Sequence, residues 1–226
     1  MASIPRSAVG DMVYHVINRA NSRQQIFQKE KDYEAFERIL FEAKEKYPMR
    51  ILSFCIMPNH WHLVLYPEKA EDLSTFMRWI THTHTQRYHT HYKSIGYGHI
   101  YQGRFKSFPV EKDKYFVQLC RYVERNPLRA GLVQRAQDWR WSSLWVRENG
   151  TNAQKELLSQ WPVEKMDLYL DWVNTLQEDE EEKLERIRHS IKRGNPLGED
   201  SWVAKIATKL GLLSTMKQLG RPKKGT

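Results

Sequence analysis

The fold is constrained most strongly by two strand-like segments that are separated by only two residues. The first, 50–57, is an apolar run, and the second, 60–66, also has the residue types of a strand. Pro58-Asn59 between them is a turn signal, so the two segments are predicted to form a β-hairpin. Helical patterns lie on both sides of this hairpin, at 32–47 and 72–92.

Two further strands complete the pattern. Residues 13–17 precede the first helix, and residues 102–110 follow the second helix; both segments are strand-like. A third helix is predicted at 112–125, ended by Asn126-Pro127. The order β-α-β-β-α-β-α is that of an α+β fold of the ferredoxin-like, split βαβ type. This fold is an antiparallel sheet with helices on one face, here with one further helix.

Charge is distributed unevenly along the 226 residues. The chain carries 36 Lys and Arg against 27 Asp and Glu, a net charge of +9. Residues 1–148 hold 23 of the basic and 15 of the acidic residues, whereas 149–226 are nearly balanced. We therefore predict a main domain at 1–148 and a helical extension at 149–226 with a basic, flexible tail. Within the extension, helices are predicted at 163–192 and 201–213. The basic surplus favours an anionic partner, nucleic acid first, although a merely soluble basic protein has the same composition.

Several classes of protein are disfavoured. The chain has no run near the ~18 apolar residues that a membrane helix needs, and no signal peptide is recognisable. Its two cysteines, Cys55 and Cys120, form no CxxC motif, which argues against a disulfide framework and a cysteine-based zinc site. We expect a cytoplasmic, nucleoid-associated protein with no membrane partner.

Two histidines in the second hairpin strand form the strongest candidate site. Alternate residues of a strand share a face, so His60 and His62 are predicted to stand side by side. The opposite face then enters a helix-covered core with Trp61, Leu63 and Leu65. Two adjacent imidazoles can bind a divalent cation; each could instead make an ordinary hydrogen bond at the sheet surface. The histidines of the second helix cannot converge on one ion and are predicted to be surface or phosphate contacts: His82, His84, His89 and His91.

The third helix carries a polar arc beside its apolar one. At about 100° per residue, the apolar arc comprises Phe116, Leu119, Cys120 and Val123, and the polar arc comprises Tyr115, Gln118 and Tyr122. Tyrosines at a helix margin commonly pack as amphipathic side chains. Alternatively, a phenol that faces the histidine pair can form a covalent intermediate with a phosphodiester whose charge a metal neutralises. The amide oxygen of Gln118 is a candidate third metal ligand.

Four segments together resemble one protein family. They are 59–62 (Asn-His-Trp-His), 98–107, 121–133 and 141–143. The first resembles the HUH motif, two histidines around a hydrophobic residue, of HUH endonucleases. All four in this order closely resemble the REP-associated tyrosine transposases, relatives of the single-tyrosine insertion-sequence transposases. The resemblance covers roughly residues 10–148, and the Gly-Arg-Pro-Lys tail also fits it.

The resemblance implies a ferredoxin-like HUH catalytic domain that cleaves and rejoins single-stranded DNA at repetitive extragenic palindromes, which form hairpins. By motif position, His60 and His62 bind Mg²⁺ or Mn²⁺, and Tyr115 attacks the phosphate to give a 5′-phosphotyrosine and a free 3′-OH. Related transposases place a glutamine ligand four residues after the tyrosine; here that position is Leu119, and Gln118 lies one residue earlier. Related transposases also act as dimers, so both a monomer and a homodimer stay open.

The predicted DNA contacts are basic and aromatic. Basic side chains neutralise phosphates, and the candidates are Arg19, Arg23, Arg104, Lys106, Arg221, Lys223 and Lys224. By alternation, Arg104 and Lys106 share a face of the fourth strand. Tyr101 and Phe105 are candidates to stack on unpaired bases, although Phe105 is better explained as a core residue. The 220–224 tail resembles a minor-groove Arg-Pro hook; it could also be a solvated end, or lie in the DNA cleft and limit activity.

Two other functions use the same features. A DNA-hairpin-binding regulator derived from a transposase would need no catalysis, but it would also have no need for two histidines and a tyrosine together. A hydrolase that uses a metal-bound water is disfavoured because no carboxylate lies at ligand spacing beside His60 and His62. The preferred function is therefore a metal-dependent, single-strand-specific DNA endonuclease and strand transferase.

Overall fold

The computed structural model describes residues 8–96 and 98–217, and the first two thirds contain the predicted elements in the predicted order. These are β1 (Val13–Arg19), α1 (Glu30–Lys46), β2 (Arg50–Met57), β3 (His60–Tyr66), α2 (Ala70–His91), β4 (Lys106–Val110) and α3 (Lys114–Glu124). Further helices follow: α4 (Asn126–Arg129), α5 (Ser143–Asn149), α6 (Asn152–Lys155), α7 (Tyr169–Asn174), α8 (Glu180–Arg193), α9 (Asp200–Lys209) and α10 (Leu213–Met216). Among the helices of these ranges, none has the length and apolar character of a membrane-spanning helix.

Some element boundaries differ from the predicted ones. β4 begins at Lys106 instead of Gln102, because the chain bends at 102–104 after the amide of Gln102 donates to the carbonyl of Arg19. The helix predicted within 163–192 is divided into α7 and α8. The helix predicted over 201–213 ends at Lys209, just before Gly211 adopts a φ of 66°. The sequence patterns did not predict α5 and α6.

The four strands form an antiparallel sheet in the order β2-β3-β1-β4. β2 and β3 are the predicted hairpin, in which Met57 pairs with His60. β1 lies inside the sheet and pairs with both β3 and β4. This strand order in a βαββαβ chain is that of the ferredoxin-like fold, so the predicted fold class is confirmed.

Helices cover both faces of the sheet. On one face, α1 and α2 pack against Trp61, Leu63 and Leu65, which are fully buried as the alternation of β3 predicts. The two helices of the ferredoxin-like motif, α1 and α2, therefore lie on one face of the sheet, as predicted. The opposite face is covered by α3 and by the extension, whose Tyr169 and Ile187 share a core with the strands.

Buried arginines join the extension to α3. Arg121 donates to the carbonyls of Trp172 and Thr175 and pairs with Glu180 at 2.8 Å. Arg125 pairs with the same carboxylate at 3.2 Å. Breaking a buried ion pair from one side is strongly destabilising, because it leaves a buried charge uncompensated. The extension and α3 are therefore held in a fixed relative position.

Candidate active site

The two predicted histidines lie on the face of β3 that turns away from α1 and α2. Pairing with β1 puts His60 opposite Arg19 and His62 opposite Ile17. The two imidazole rings are edge-to-face, with their centroids 5.0 Å apart. Strand alternation therefore brings both side chains to one place, as the sequence predicts.

Each imidazole is held through its Nδ1 atom. Nδ1 of His60 lies 2.6 Å from the acceptor Oδ1 of Asn59, so this nitrogen donates and Nε2 keeps its lone pair. Nδ1 of His62 lies 2.8 Å from Nε2 of His15, a fully buried residue of β1. Nε2 of His62 is buried and has no hydrogen-bond partner among the described residues. The Nε2 atoms are thus the positions at which this pair can bind a ligand.

The sequence patterns did not predict a role for His15. Strand alternation places it on the same face as Val13 and Ile17, but a single histidine in a strand is no signal of a site. The antiparallel pairing of β1 with β3 brings His15 diagonally opposite His62. That pairing joins residues 47 positions apart in the chain and is a property of the tertiary fold.

Burial keeps these three histidines neutral. It lowers the pKa of His60 to about 4 and the pKa of His15 to about 3, and it holds the pKa of His62 well below the usual range. The nearby guanidinium of Arg19 lowers the pKa of each further. Because neutral imidazole is the form that binds metal ions, protons do not compete with a metal here at neutral pH.

Of the two tyrosines on the polar arc of α3, the structure brings Tyr122 to the histidine pair. The rings of Tyr122 and His62 are edge-to-face, with centroids 5.8 Å apart. Tyr115 lies seven residues earlier, about 10 Å along the helix axis. There the guanidinium of Arg186 on α8 lies 5.1 Å from the centre of its ring. The geometry therefore does not support Tyr115 as the residue that faces the histidines.

Two further side chains adjoin Tyr122. The guanidinium of Arg129 stacks on its ring at 4.5 Å and donates from Nη2 to Oδ1 of Asn126 at 2.5 Å. Nη1 of Arg129 is buried and has no hydrogen-bond partner in the described ranges. A cationic donor is thus available beside the phenol. Gln118 is half-buried and lies between the two tyrosines along α3. Its role as a metal ligand stays a prediction.

A basic cavity of about 640 Å³ lies beside Tyr122. Three of the predicted DNA contacts line it: Arg19, Arg104 and Lys106. Arg104 precedes β4 instead of belonging to it, yet it reaches the same cavity as Lys106. Arg23 is exposed in the turn after β1, away from the cavity lining. Arg221, Lys223 and Lys224, with the rest of the tail, lie outside the described residues.

Tyr101 and His84 belong to the core and not to a nucleic-acid surface. Nε1 of Trp61 donates to the Tyr101 hydroxyl at 2.9 Å, and this hydroxyl lies 2.6 Å from Nδ1 of His84. Both residues are buried, so the predictions of base stacking by Tyr101 and of a surface role for His84 are wrong. Phe105 is buried in the same core, as its alternative explanation predicts.

Comparison with known proteins identifies the family of the chain. Residues 8–126, just over half of the chain, match the family described as "Transposase IS200 like". The REP-associated tyrosine transposase of Escherichia coli (strain K12) is 25% identical over 135 residues, which are 59% of this chain and 76% of that protein. A relative from Haemophilus influenzae is 25% identical over 107 residues, which are 44% of this chain and 61% of the relative.

The fold agrees with this match. A solved structure of a REP-associated tyrosine transposase bound to a REP hairpin has a TM-score of 0.54 at 19% identity, and the superposition covers 74% of this chain and 96% of the other. In this chain, the sheet carries the His60 and His62 pair beside Tyr122 of α3. The chain belongs to the IS200-like transposase family. The resemblance inferred from the sequence is therefore confirmed.

Proposed function

We propose that this protein is a metal-dependent, single-strand-specific DNA endonuclease and strand transferase that acts at REP-type hairpins, with Tyr122 as its nucleophile. The observation that carries the proposal is the contact between Tyr122 and His62, whose ring centroids are 5.8 Å apart, at the wall of a basic cavity. Membership of a transposase family supports the reaction type. The hairpin substrate is supported by the ligand of the structural relative.

In the proposed reaction, the phenolic oxygen of Tyr122 attacks a phosphorus atom in the backbone of a single strand. A bond forms between this oxygen and phosphorus, and the bond from phosphorus to the 3′ oxygen breaks, which gives a 5′-phosphotyrosine and a 3′-OH. The phenol loses a proton and the 3′ oxygen gains one, so no water is consumed. Attack by a 3′-OH on the phosphotyrosine reverses the step and rejoins the strand. Nη1 of Arg129, which has no hydrogen-bond partner among the described residues, is suited to the charge that develops on the phosphate oxygens.

The residues of the histidine pair fit a divalent cation. Their burial keeps both imidazoles neutral, and Nε2 of His62 has no partner among the described residues. His60 and His62 would hold such a cation through their nitrogen atoms, and Mg²⁺ or Mn²⁺ would take its other ligands from oxygen atoms, which both ions favour. When bound, such an ion supplies polarisation of the phosphate and neutralisation of its charge.

The proposed function is tested with a labelled oligonucleotide that folds into a hairpin with a single-stranded flank. With Mn²⁺ or Mg²⁺, we expect a labelled protein–DNA species that survives a denaturing gel and is lost when EDTA is present. Mass spectrometry is expected to place the nucleotide on Tyr122. Tight hairpin binding without cleavage in either metal would instead support a non-catalytic hairpin-binding regulator, and free 5′-phosphate ends would indicate hydrolysis.

The substitution His15→Ala is expected to weaken Mn²⁺ binding about 10- to 100-fold, the usual effect of losing the residue that orients a metal-binding histidine. The reason is that His62 loses the partner of its Nδ1 atom. The dissociation constant is measured by a spin-resonance titration of free Mn²⁺ without DNA. His15→Gln keeps a hydrogen-bonding side chain and is expected to recover part of the affinity.

The matched control for His15→Ala is His189→Ala, because His189 is exposed on α8. This control is expected to bind Mn²⁺ as the unaltered protein does. Unchanged Mn²⁺ binding by a folded His15→Ala protein would show that the sheet alone orients His62.

A further inference from the structure

The cavity beside Tyr122 has two walls, and one of them comes from the C-terminal extension. The wall on the sheet side contains Arg19, Arg104 and Lys106, and the wall on α8 contains Arg188, Ile191 and Lys192. α8 lies well beyond residue 126, where the match to the transposase family ends. Family membership therefore assigns no function to this helix.

The charge of both walls is complementary to a phosphodiester backbone. Among the described residues that line the cavity, five are cationic and none is a carboxylate. Four of these cations have no ion pair in the part of the chain that the structure describes, and Arg188 pairs with the exposed Glu181 at 2.7 Å. Cations on facing walls repel each other, so an anion between them lowers the electrostatic energy of the arrangement.

α8 is held rigidly beside the helix that carries Tyr122. Ile187 and Ile191 of α8 are buried in the core that α3 shares with the sheet. At the start of α8, Glu180 pairs with Arg121 and Arg125 of the α3 segment. The basic side chains of α8 are therefore positioned relative to the phenol by direct packing, so a strand bound between the walls lies beside Tyr122.

We propose that α8 is the second wall of a groove that holds the backbone of single-stranded DNA as it reaches Tyr122, with Arg188 and Lys192 binding phosphates. These two residues are four positions apart on one helix and project from the same side. The Cβ atoms of such a pair are about 5–6 Å apart, so both side chains can contact one strand. A positively charged groove that follows the backbone is the general solution for binding single strands. The proposal rests on the proposed function but concerns DNA binding alone.

The test is a titration of a labelled 12-nucleotide oligothymidine in EDTA, repeated over a range of salt concentrations. For Arg188→Ala/Lys192→Ala, we expect binding about tenfold weaker near 0.1 M salt. We also expect the slope of the logarithm of the binding constant against the logarithm of the salt concentration (the salt slope) to be shallower by about 1.4, from roughly 0.7 per lost phosphate contact. Lys205→Ala/Lys209→Ala on α9 removes the same charge away from the cavity and is expected to leave the slope nearly unchanged. Arg188→Gln/Lys192→Gln, which keeps longer side chains, repeats the test should the first variant be unstable.

The outcomes separate this proposal from the proposed function. Equal salt slopes for the α8 and α9 variants would overturn the α8 wall, while the covalent adduct of the unaltered protein would stand unaffected. Failure of the unaltered protein to bind the oligothymidine would also overturn the α8 wall, whereas the proposed function would be overturned only by the absence of the covalent adduct with the hairpin. A polyglutamate that binds as tightly as DNA, and is weakened equally by the α8 variant, would reassign the groove to an acidic protein partner.

Discussion

Tyr122→Phe is expected to abolish the covalent protein–DNA product, a fall of roughly a thousandfold or more in cleavage rate, while hairpin binding stays within a few-fold of that of the unaltered protein. The substitution removes the attacking oxygen but keeps the ring that lies against His62 and under Arg129. The fold should therefore be retained. Cleavage is measured in Mn²⁺ on a denaturing gel, and binding is measured separately in EDTA.

Tyr115→Phe is the matched control, because it is the same substitution on the same helix. Tyr115 lies beside Arg186 on α8, so its variant is expected to form the adduct at close to the rate of the unaltered protein. An adduct that is retained in Tyr122→Phe and lost in Tyr115→Phe would restore Tyr115, which the sequence resemblance favoured. Loss of the adduct in both single variants would show that each phenol contributes to the reaction.

The largest effect on stability is expected from Glu124→Ala, at about 3–5 kcal/mol of unfolding free energy. The carboxylate of Glu124 is fully buried between the sheet, α5 and α7. It accepts hydrogen bonds from Ser143 at 2.5 Å, from Tyr169 at 2.8 Å and from Ser53 at 3.0 Å, and it pairs with Arg147. Its removal leaves the mostly buried guanidinium of Arg147 without its counter-ion.

The comparison for Glu124→Ala is Glu42→Ala, which breaks the ion pair between Glu42 and Arg87. That pair has a short distance of 2.7 Å, but both side chains are substantially exposed, so its loss is expected to change stability by less than about 1 kcal/mol. Both free energies are obtained from urea unfolding followed by circular dichroism. Similar costs for the two variants would contradict the assignment of Glu124 as the centre of a buried polar network.

The HxH pair could be predicted from the sequence because strand alternation is a local property. Once 60–66 is a strand, His60 and His62 must share a face and Trp61 must take the other, whatever packs around the sheet. The order of strands and helices likewise restricted the fold to the ferredoxin-like type, since adjacent elements along the chain tend to be neighbours in space. These features depend on residues that are close in sequence.

The choice between the two tyrosines could not be made in this way. Helical periodicity places Tyr115 and Tyr122 on one arc, but it does not say which end of α3 lies over β3. That position is set by packing and by ion pairs with the extension, such as Arg121 with Glu180, which are 59 residues apart in the chain. The same limit explains why Tyr101 and His84 were predicted to face outward, although tertiary contacts bury them in a polar pair.

The sequence by itself therefore determined the fold class, the paired histidines and the basic character of the protein. Each follows from local periodicity, from turn signals or from composition, which act over a few residues or over the whole chain. Only the tertiary structure decided that Tyr122 faces the histidines, that His15 holds His62, and that α8 lines the basic cavity. These contacts join distant segments, and they arise only when both faces of the sheet are covered and the buried charges are paired.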